Sequence, residues 1–387
     1  MNLGVISAAF LMAIVTLIFS FNDASAVSLE DQFLGFSRAA HMDSLSPRDG
    51  DDPFSVAFNP ATVSMENIFA GALTRLDWKE PSGLDVKGTH SSTVLGGTFH
   101  YRIPKTHAGL FMISTVPVDR QAILDTGDAT ESRFVWNHFA REISYLAGVA
   151  WSSESENHSI GISVPVLFNA RATATLALDP ADADARAQVF MAPSVSYRLG
   201  YRYHSGGNDF SLVYRERQKA EAQIYFQSDL PLLATSYEIE GVSDYLVAPR
   251  RVEASFATEL NDVWEMGLRL SWIQWSEVSS PFIEIVNSTP TLVNQSSPLN
   301  GKDRFFASIG ARLQVSKIES WTFGAGFRPG IYQSTTPFYS PNEWILGAAY
   351  RRAIPSMGWE SHVGLRAHLL SKASFYTWLS LGLGFHL

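Results

Sequence analysis

The sequence predicts an all-β chain: a transmembrane antiparallel β-barrel of 14 strands, with an N-terminal hatch plugging the lumen. Three observations point there. The final stretch, Phe375–Leu387 (FYTWLSLGLGFHL), puts an apolar residue at every second position, Thr377 excepted, and small or polar residues between. Fourteen segments with this kind of alternation follow one another after Asn67. The connections between them are alternately short and long, except that the last, Ser371–Ser374, is short where a long one is due. Period-2 alternation marks a strand with one oily face. A membrane-crossing β-strand needs about 9–11 residues, and Phe375–Leu387 is long enough.

The chain has 387 residues, no cysteine, a formal charge of −9 and 46% hydrophobic residues. One long apolar run exists, Leu3 to Phe21, followed by Ala24-Ser25-Ala26. That is the pattern of an export signal with small residues at its cleavage site, so residues 1–26 are expected to be removed and Val27 to begin the mature chain. The run carries no Lys or Arg before it, which keeps a retained anchor as the other reading. An exported chain without cysteine forms no disulfides and fits a bacterial envelope protein. The acidic balance and the lack of a basic stripe speak against nucleic acid.

Residues 27–67 show no sustained alternation. They are rich in Asp, Ser, Pro and Gly, yet hold Phe33, Phe36, Phe54, Val56 and Phe58. A structureless stretch of that length needs a home, and a barrel lumen is one. These residues form the expected hatch, and 68–387 the barrel.

The candidate strands are Ile68–Trp78, Thr93–Ile103, Ala108–Thr115, Arg141–Ser152, His158–Phe168, Val189–Tyr203, Phe210–Arg217, Val252–Leu260, Trp264–Trp275, Arg304–Val315, Trp321–Ile331, Glu343–Arg351, Trp359–Leu370 and Phe375–Leu387. An even number suits a single-chain outer-membrane barrel, whose periplasmic turns are short and outer loops long. Pro104–His107, Ser153–Asn157 and His204–Asp209 read as such turns. Val116–Ala140, Asn169–Gln188 and Gln218–Arg251 read as long loops. Trp264, Trp321 and Trp359 each open a strand after a short turn, as an aromatic girdle would; the competing reading is core tryptophan in a soluble sandwich. On the strand faces opposite the apolar ones lie Glu265, Arg269, Arg304, Arg312, Arg328, Glu360, His362 and Arg366. A charge facing lipid near the midplane costs about 2–4 kcal/mol, so this parity is assigned to the lumen.

The stretch Gly35–Ala72 resembles the N-terminal hatch of the FadL-type outer-membrane transporters of long-chain fatty acids and other hydrophobic compounds. The matching blocks are GFSRAA at Gly35–Ala40, DDPFSVAFNPA at Asp51–Ala61 with its Asn59-Pro60-Ala61 signature, and ENIFAGA at Glu66–Ala72. Phe210–Leu230, Val247–Val278 and Gly326–Arg351 resemble later hairpins of that family. The resemblance implies a hatch-plugged barrel that captures an apolar ligand at its outer loops and releases it sideways through the wall. The strand with Gly109 that runs into Pro117 is the candidate for that opening; the other reading is that both residues mark strand ends.

A channel for apolar molecules needs no nucleophile, metal or cofactor. It needs an oily surface and a group to hold an anionic head. Arg269, Arg312, Arg328 and Arg366 are the candidates, since a guanidinium fork matches a carboxylate. The alternative is that they pair with Glu265, Glu360, Asp51 or Asp52 to hold the hatch. His362, His368 and His386 share the lumen parity without a carboxylate at ligand spacing, so no metal is expected. Gly382 and Gly384 leave space on the last strand, where Asn59-Pro60-Ala61 is expected to sit. The expected partners are a hydrophobic ligand such as a long-chain fatty acid, outer-membrane lipid and the barrel-assembly machinery, with the chain a monomer. The competing functions are a structural or secretion-associated barrel without transport, and a lipid hydrolase. No Ser–His pair stands out for the latter, so the chain is not expected to be an enzyme.

Overall fold

In the computed structural model the described residues are 44–45, 58–62, 69–79, 90–100, 106–115, 120–125, 133–152, 157–177, 184–230, 235–277, 284–289, 302–329, 342–354, 356, 359–370 and 375–386. Over 69–147 and 375–386 the backbone path alone is described.

Twenty strands occur: β1 (Phe69–Lys79), β2 (His90–His100), β3 (Thr106–Thr115), β4 (Arg120–Asp125), β5 (Arg133–Ser152), β6 (His158–Ala177), β7 (Asp184–Met191), β8 (Ser194–Val195), β9 (Arg198–Ser205), β10 (Asn208–Arg215), β11 (Gln218–Leu230), β12 (Thr235–Ala248), β13 (Arg250–Glu259), β14 (Trp264–Gln274), β15 (Glu284–Thr289), β16 (Arg304–Ser316), β17 (Glu319–Arg328), β18 (Glu343–Ile354), β19 (Trp359–Leu370) and β20 (Phe375–His386). Several are pieces of one longer stave. β7, β8 and β9 all pair with β6, one after another along its length. In the same way β3 and β4 share β5 as partner. β10 with β11, β12 with β13, and β14 with β15 join into single staves by the same logic. Among the described residues fourteen antiparallel staves result, in chain order. β1 also pairs with β20, from Phe69 facing His386 to Lys79 facing Tyr376, so the ladder returns to its start. Closure removes the open edges that a sheet must otherwise protect.

The wall is inverted relative to a soluble protein. On β14, Leu268 and Leu270 are exposed while Gly267, Arg269 and Ser271 are buried. On β16, Phe305 and Ile309 are exposed while Phe306 and Ser308 are buried. On β19, Val363 and Leu365 are exposed while Glu360, His362 and Arg366 are buried. The parity expected for these strands is the one observed. Large apolar side chains cover the outside and polar ones the inside, the arrangement lipid favours. Trp264 and Trp359 open β14 and β19 and are exposed, as is Trp151. Trp321 is the third residue of β17, not the first, because Glu319 and Ser320 extend the ladder toward the turn.

Staves 3 to 9 are longer than expected. Much of the three stretches read as long loops is strand: β4 and the start of β5, the end of β6 with the start of β7, and β11 with β12. An irregularity interrupts these staves about ten residues from the short-turn end, matching the ~9–11 residues of a membrane-spanning strand. Between β5 and β6 the register shifts at Ile143/Ser144, and between β11 and β12 at Gln218/Lys219. β14 gives way to a 3-10 turn at Trp275–Glu277. Outward chemistry changes at the same height. Phe210 and Leu212 are exposed below it; Glu221, Gln223, Tyr225 and Gln227 are exposed above it. These exposed positions of β11 are polar apart from Tyr225, so it carries no oily alternation to be read. On stave 7 the exposed positions also change from even, Phe210 and Leu212, to odd, Glu221 and Gln223.

Candidate functional site

The described part of the N-terminal segment packs against the inner wall. Pro60–Thr62 forms one 3-10 turn, and Phe58 to Thr62 are all buried. Asn59 organises it: its side-chain oxygen accepts from the Ala61 amide at 3.0 Å, and its carbonyl accepts from the Thr62 hydroxyl at 2.9 Å. Asn is suited to such side-chain-to-backbone turns. The turn rests on Gly161 of β6 and Gly200 of β9, which face each other in register. A Cβ on Gly161 would meet the Ala61 nitrogen at 2.6 Å, and one on Gly200 would overlap Asn59. Gly267 of β14 makes room in the same way for Ser44 and Leu45. The motif therefore seats on staves 5 and 6. The expected seat beside Gly382 and Gly384 on the last stave is overturned. Ring curvature, which no strand pattern encodes, decides which glycines meet the turn.

Directly beyond this turn the inner wall carries arginines side by side. The tight turn at Gly206-Gly207, both with positive φ, pairs β9 with β10. Arg198 then faces Arg215, and Arg215 faces Arg251 on β13. Arg215 reaches the Phe58 carbonyl at 3.3 Å and lies over its ring. Glu253 gathers three guanidinium groups. Arg215 lies at 2.7 Å and Arg251 at 3.2 Å from one oxygen, and Arg269 pairs with the other. Arg251 also donates to the Ser271 hydroxyl at 3.2 Å. Beside this group lies an apolar patch of Ile273, Phe306 and Ile345, with Trp275 against it. Arg269 and Arg328 both stand over the Phe306 ring, 5.3 Å and 5.8 Å from its centroid. Guanidinium groups stack well on aromatic faces.

Of the four arginines singled out by parity, Arg269 and Arg328 are brought together over Phe306. Arg269 belongs to the Glu253 group. Arg312 pairs with Glu265 at 3.0 Å, and Arg328 with Glu343 at 3.3 Å. Arg366 is buried on β19. Glu360 holds Arg351 at 2.6 Å and His362 at 2.9 Å. His362 faces Gly382 across the ladder, whereas His386 faces Phe69. Asp51 and Asp52 lie outside the described residues. Arg198, Arg215 and Arg251 were missed by strand parity alone. The Gly206-Gly207 turn was the available signal, since a two-residue hairpin turn sets the register that aligns Arg198 with Arg215.

Gly109 is paired on both sides, facing Thr98 on β2 and Gly148 on β5. Pro117 lies outside the described residues. The register does change across it. Thr115 faces Glu142 but Arg120 faces His138, so five steps on the third stave match four on the next.

No family model and no curated protein sequence matches the chain. Solved structures do. A Pseudomonas aeruginosa FadL homologue is 12% identical with a TM-score of 0.65, covering 95% of this chain and 99% of its own. The CymD monoaromatic hydrocarbon channel is 13% identical with a TM-score of 0.63, covering 92% and 97%. The Pseudomonas putida toluene transporter TodX is 11% identical with a TM-score of 0.61, covering 87% and 94%. At such identities the likeness is one of fold, and it extends over nearly the whole length of each chain. The chain has the fold of the FadL-type barrels, in agreement with the resemblance carried by its sequence blocks.

Proposed function

We propose that this chain is an outer-membrane channel for the uptake of hydrophobic small molecules, with long-chain fatty acids as its principal class. The observation that carries the reading is the inner-wall juxtaposition of Arg215, Arg251 and Arg269 with the apolar patch of Ile273, Phe306 and Ile345. An amphiphile needs both: a guanidinium for its carboxylate and an oily surface for its chain. The apolar outer wall and the spanning height of the staves support the membrane location. The fold shared with a FadL homologue and with two hydrocarbon transporters supports transport.

In this reading residues 1–26 are the export signal, 27–67 the hatch and 68–387 the barrel. The ligand is captured at the outer loops and settles against the arginine group above Phe58. Rearrangement of the hatch around Asn59-Pro60-Ala61 then lets it move on. It leaves sideways at the third stave, where the register changes across Pro117 and where Gly109 lies. No bond is broken, so no catalytic residue is assigned. The chain works as a monomer in outer-membrane lipid, after insertion by the barrel-assembly machinery.

The test is uptake of radiolabelled oleate and radiolabelled toluene by cells with and without the chain, under limiting substrate. Chain-dependent oleate uptake is expected. Equal oleate uptake in both strains would sink the fatty-acid reading. Toluene uptake alone would assign the channel to uncharged hydrocarbons.

A further inference from the structure

A polar cluster stands on the outer wall at the height where its exposed residues turn from apolar to polar. Tyr214 of β10, Glu216 just past its end, Arg250 of β13 and Gln274 of β14 share the parity of the exposed Leu212, Phe256 and Leu270. Glu216 is the hub. One of its oxygens accepts from Arg250 Nε at 3.2 Å, from Arg250 Nη2 at 3.0 Å and from the Arg217 amide at 3.0 Å. The other accepts from the Tyr214 hydroxyl. Arg250 Nη1 donates to the Gln274 side-chain oxygen at 3.0 Å, and Arg217 Nε lies 4.0 Å from the Glu216 carboxylate. One carboxylate thus serves two guanidinium groups, and it is the most covered of the three. Its side chain is 19% exposed, against 28% for Arg250 and 42% for Arg217. The face offered to the surroundings is basic. Next on β11, Lys219 and Glu221 carry opposite charges. Beside the cluster the exposed Tyr197 ring lies 6.0 Å from that of Tyr214.

We propose that Arg217 and Arg250 form a site on the outer wall for the phosphate headgroup of a lipid in the outer leaflet. The lipid's acyl chains lie on the apolar wall below, against Leu212, Phe256 and Leu270. The inference rests on the membrane location argued above. The tight turn at Gly206-Gly207 closes the other end of β10, so the cluster stands at the rim away from the short turns, the outer one in such barrels. A guanidinium fork matches phosphate oxygens, and tyrosine favours the level of the headgroups. The opposite rim offers a contrast. Arg352 shares the parity of the exposed Trp344 and Leu346, yet it meets Glu319 one to one at 3.5 Å, with both side chains 28% exposed. That pair presents no excess of positive charge.

The test offers the purified full chain, in detergent, an equimolar mixture of phosphatidic acid and phosphatidylcholine, and counts the retained lipids by native mass spectrometry. The unaltered protein is expected to retain phosphatidic acid in preference. Arg217→Gln and Arg250→Gln should each lower that preference about fivefold, the worth of one basic residue beside an anionic headgroup. The double variant should show no preference, and Arg352→Gln should behave as the unaltered protein does. Equal retention of the two lipids by the unaltered protein overturns the proposal. So does an undiminished preference in the double variant, or an equal loss in Arg352→Gln. Displacement of the bound lipid by an equal concentration of inorganic phosphate would make this a site for free phosphate and overturn the lipid assignment. Insertion into phosphatidylcholine vesicles, read by protection from protease, judges the membrane location separately. Failure to insert overturns both readings, whereas insertion without the phosphatidic acid preference overturns the headgroup site alone.

Discussion

Gly200 stands directly against the side-chain oxygen of Asn59, so that even a methyl group at Gly200 would overlap it. The contact links a wall position on stave 6 to the organising residue of the inner turn. Its neighbour Gly161 bears on Pro60 and Ala61 in the same way. Gly200→Ala and Gly161→Ala are therefore expected to displace the turn. Overpacking of this kind costs about 1–3 kcal/mol. The expected result is a lower unfolding midpoint together with higher conductance in planar bilayers. Unchanged conductance in both variants would show that the turn does not obstruct the lumen.

Glu253 is nearly fully buried and is the common partner of Arg215, Arg251 and Arg269. Glu253→Gln leaves three guanidinium groups crowded without that charge. Removing one partner from a buried ion cluster costs about 3–5 kcal/mol. Denaturant unfolding in detergent should show this loss. Glu265→Gln removes the partner of Arg312 at a more open site and should cost clearly less.

Arg251→Gln is expected to reduce oleate uptake while leaving toluene uptake unchanged, because toluene carries no anionic group. Arg251→Lys should restore little, since an ammonium lacks the fork that matches a carboxylate. Parallel loss of both substrates would assign Arg251 to barrel integrity alone.

Leu268 is exposed in mid-span, and Gln223 is exposed above the belt of bulges. Leu268→Arg is expected to cost about 2–4 kcal/mol in lipid vesicles, as charges do near a bilayer midplane, whereas Gln223→Arg should cost ~0–1 kcal/mol. Equal costs would move the membrane boundary away from the belt.

Most of the barrel was legible as period-2 alternation. In β14, β16 and β19 the outward and inward residues read from the chain are those observed. The reason is that lipid outside and a polar lumen inside impose opposite chemistry on successive residues. The same logic concealed the outer halves of staves 3 to 9. Glu221, Gln223 and Gln227 are the exposed residues of β11 along with Tyr225, so it carries no oily face to announce it as a strand.

The amino-acid order alone points to the all-β character and the inward parity of the arginines, because these show in neighbours two residues apart; the count of fourteen, which the sequence left open between about twelve and sixteen, is fixed by the pairings. It also records the blocks that resemble the FadL-type hatch. Which residues meet across the lumen is another matter. Asn59 finds Gly200, and Glu253 gathers Arg215, Arg251 and Arg269, through the curvature and stagger of a closed ring. Those distances are summed over many staves. They exist only once the first strand has paired with the last.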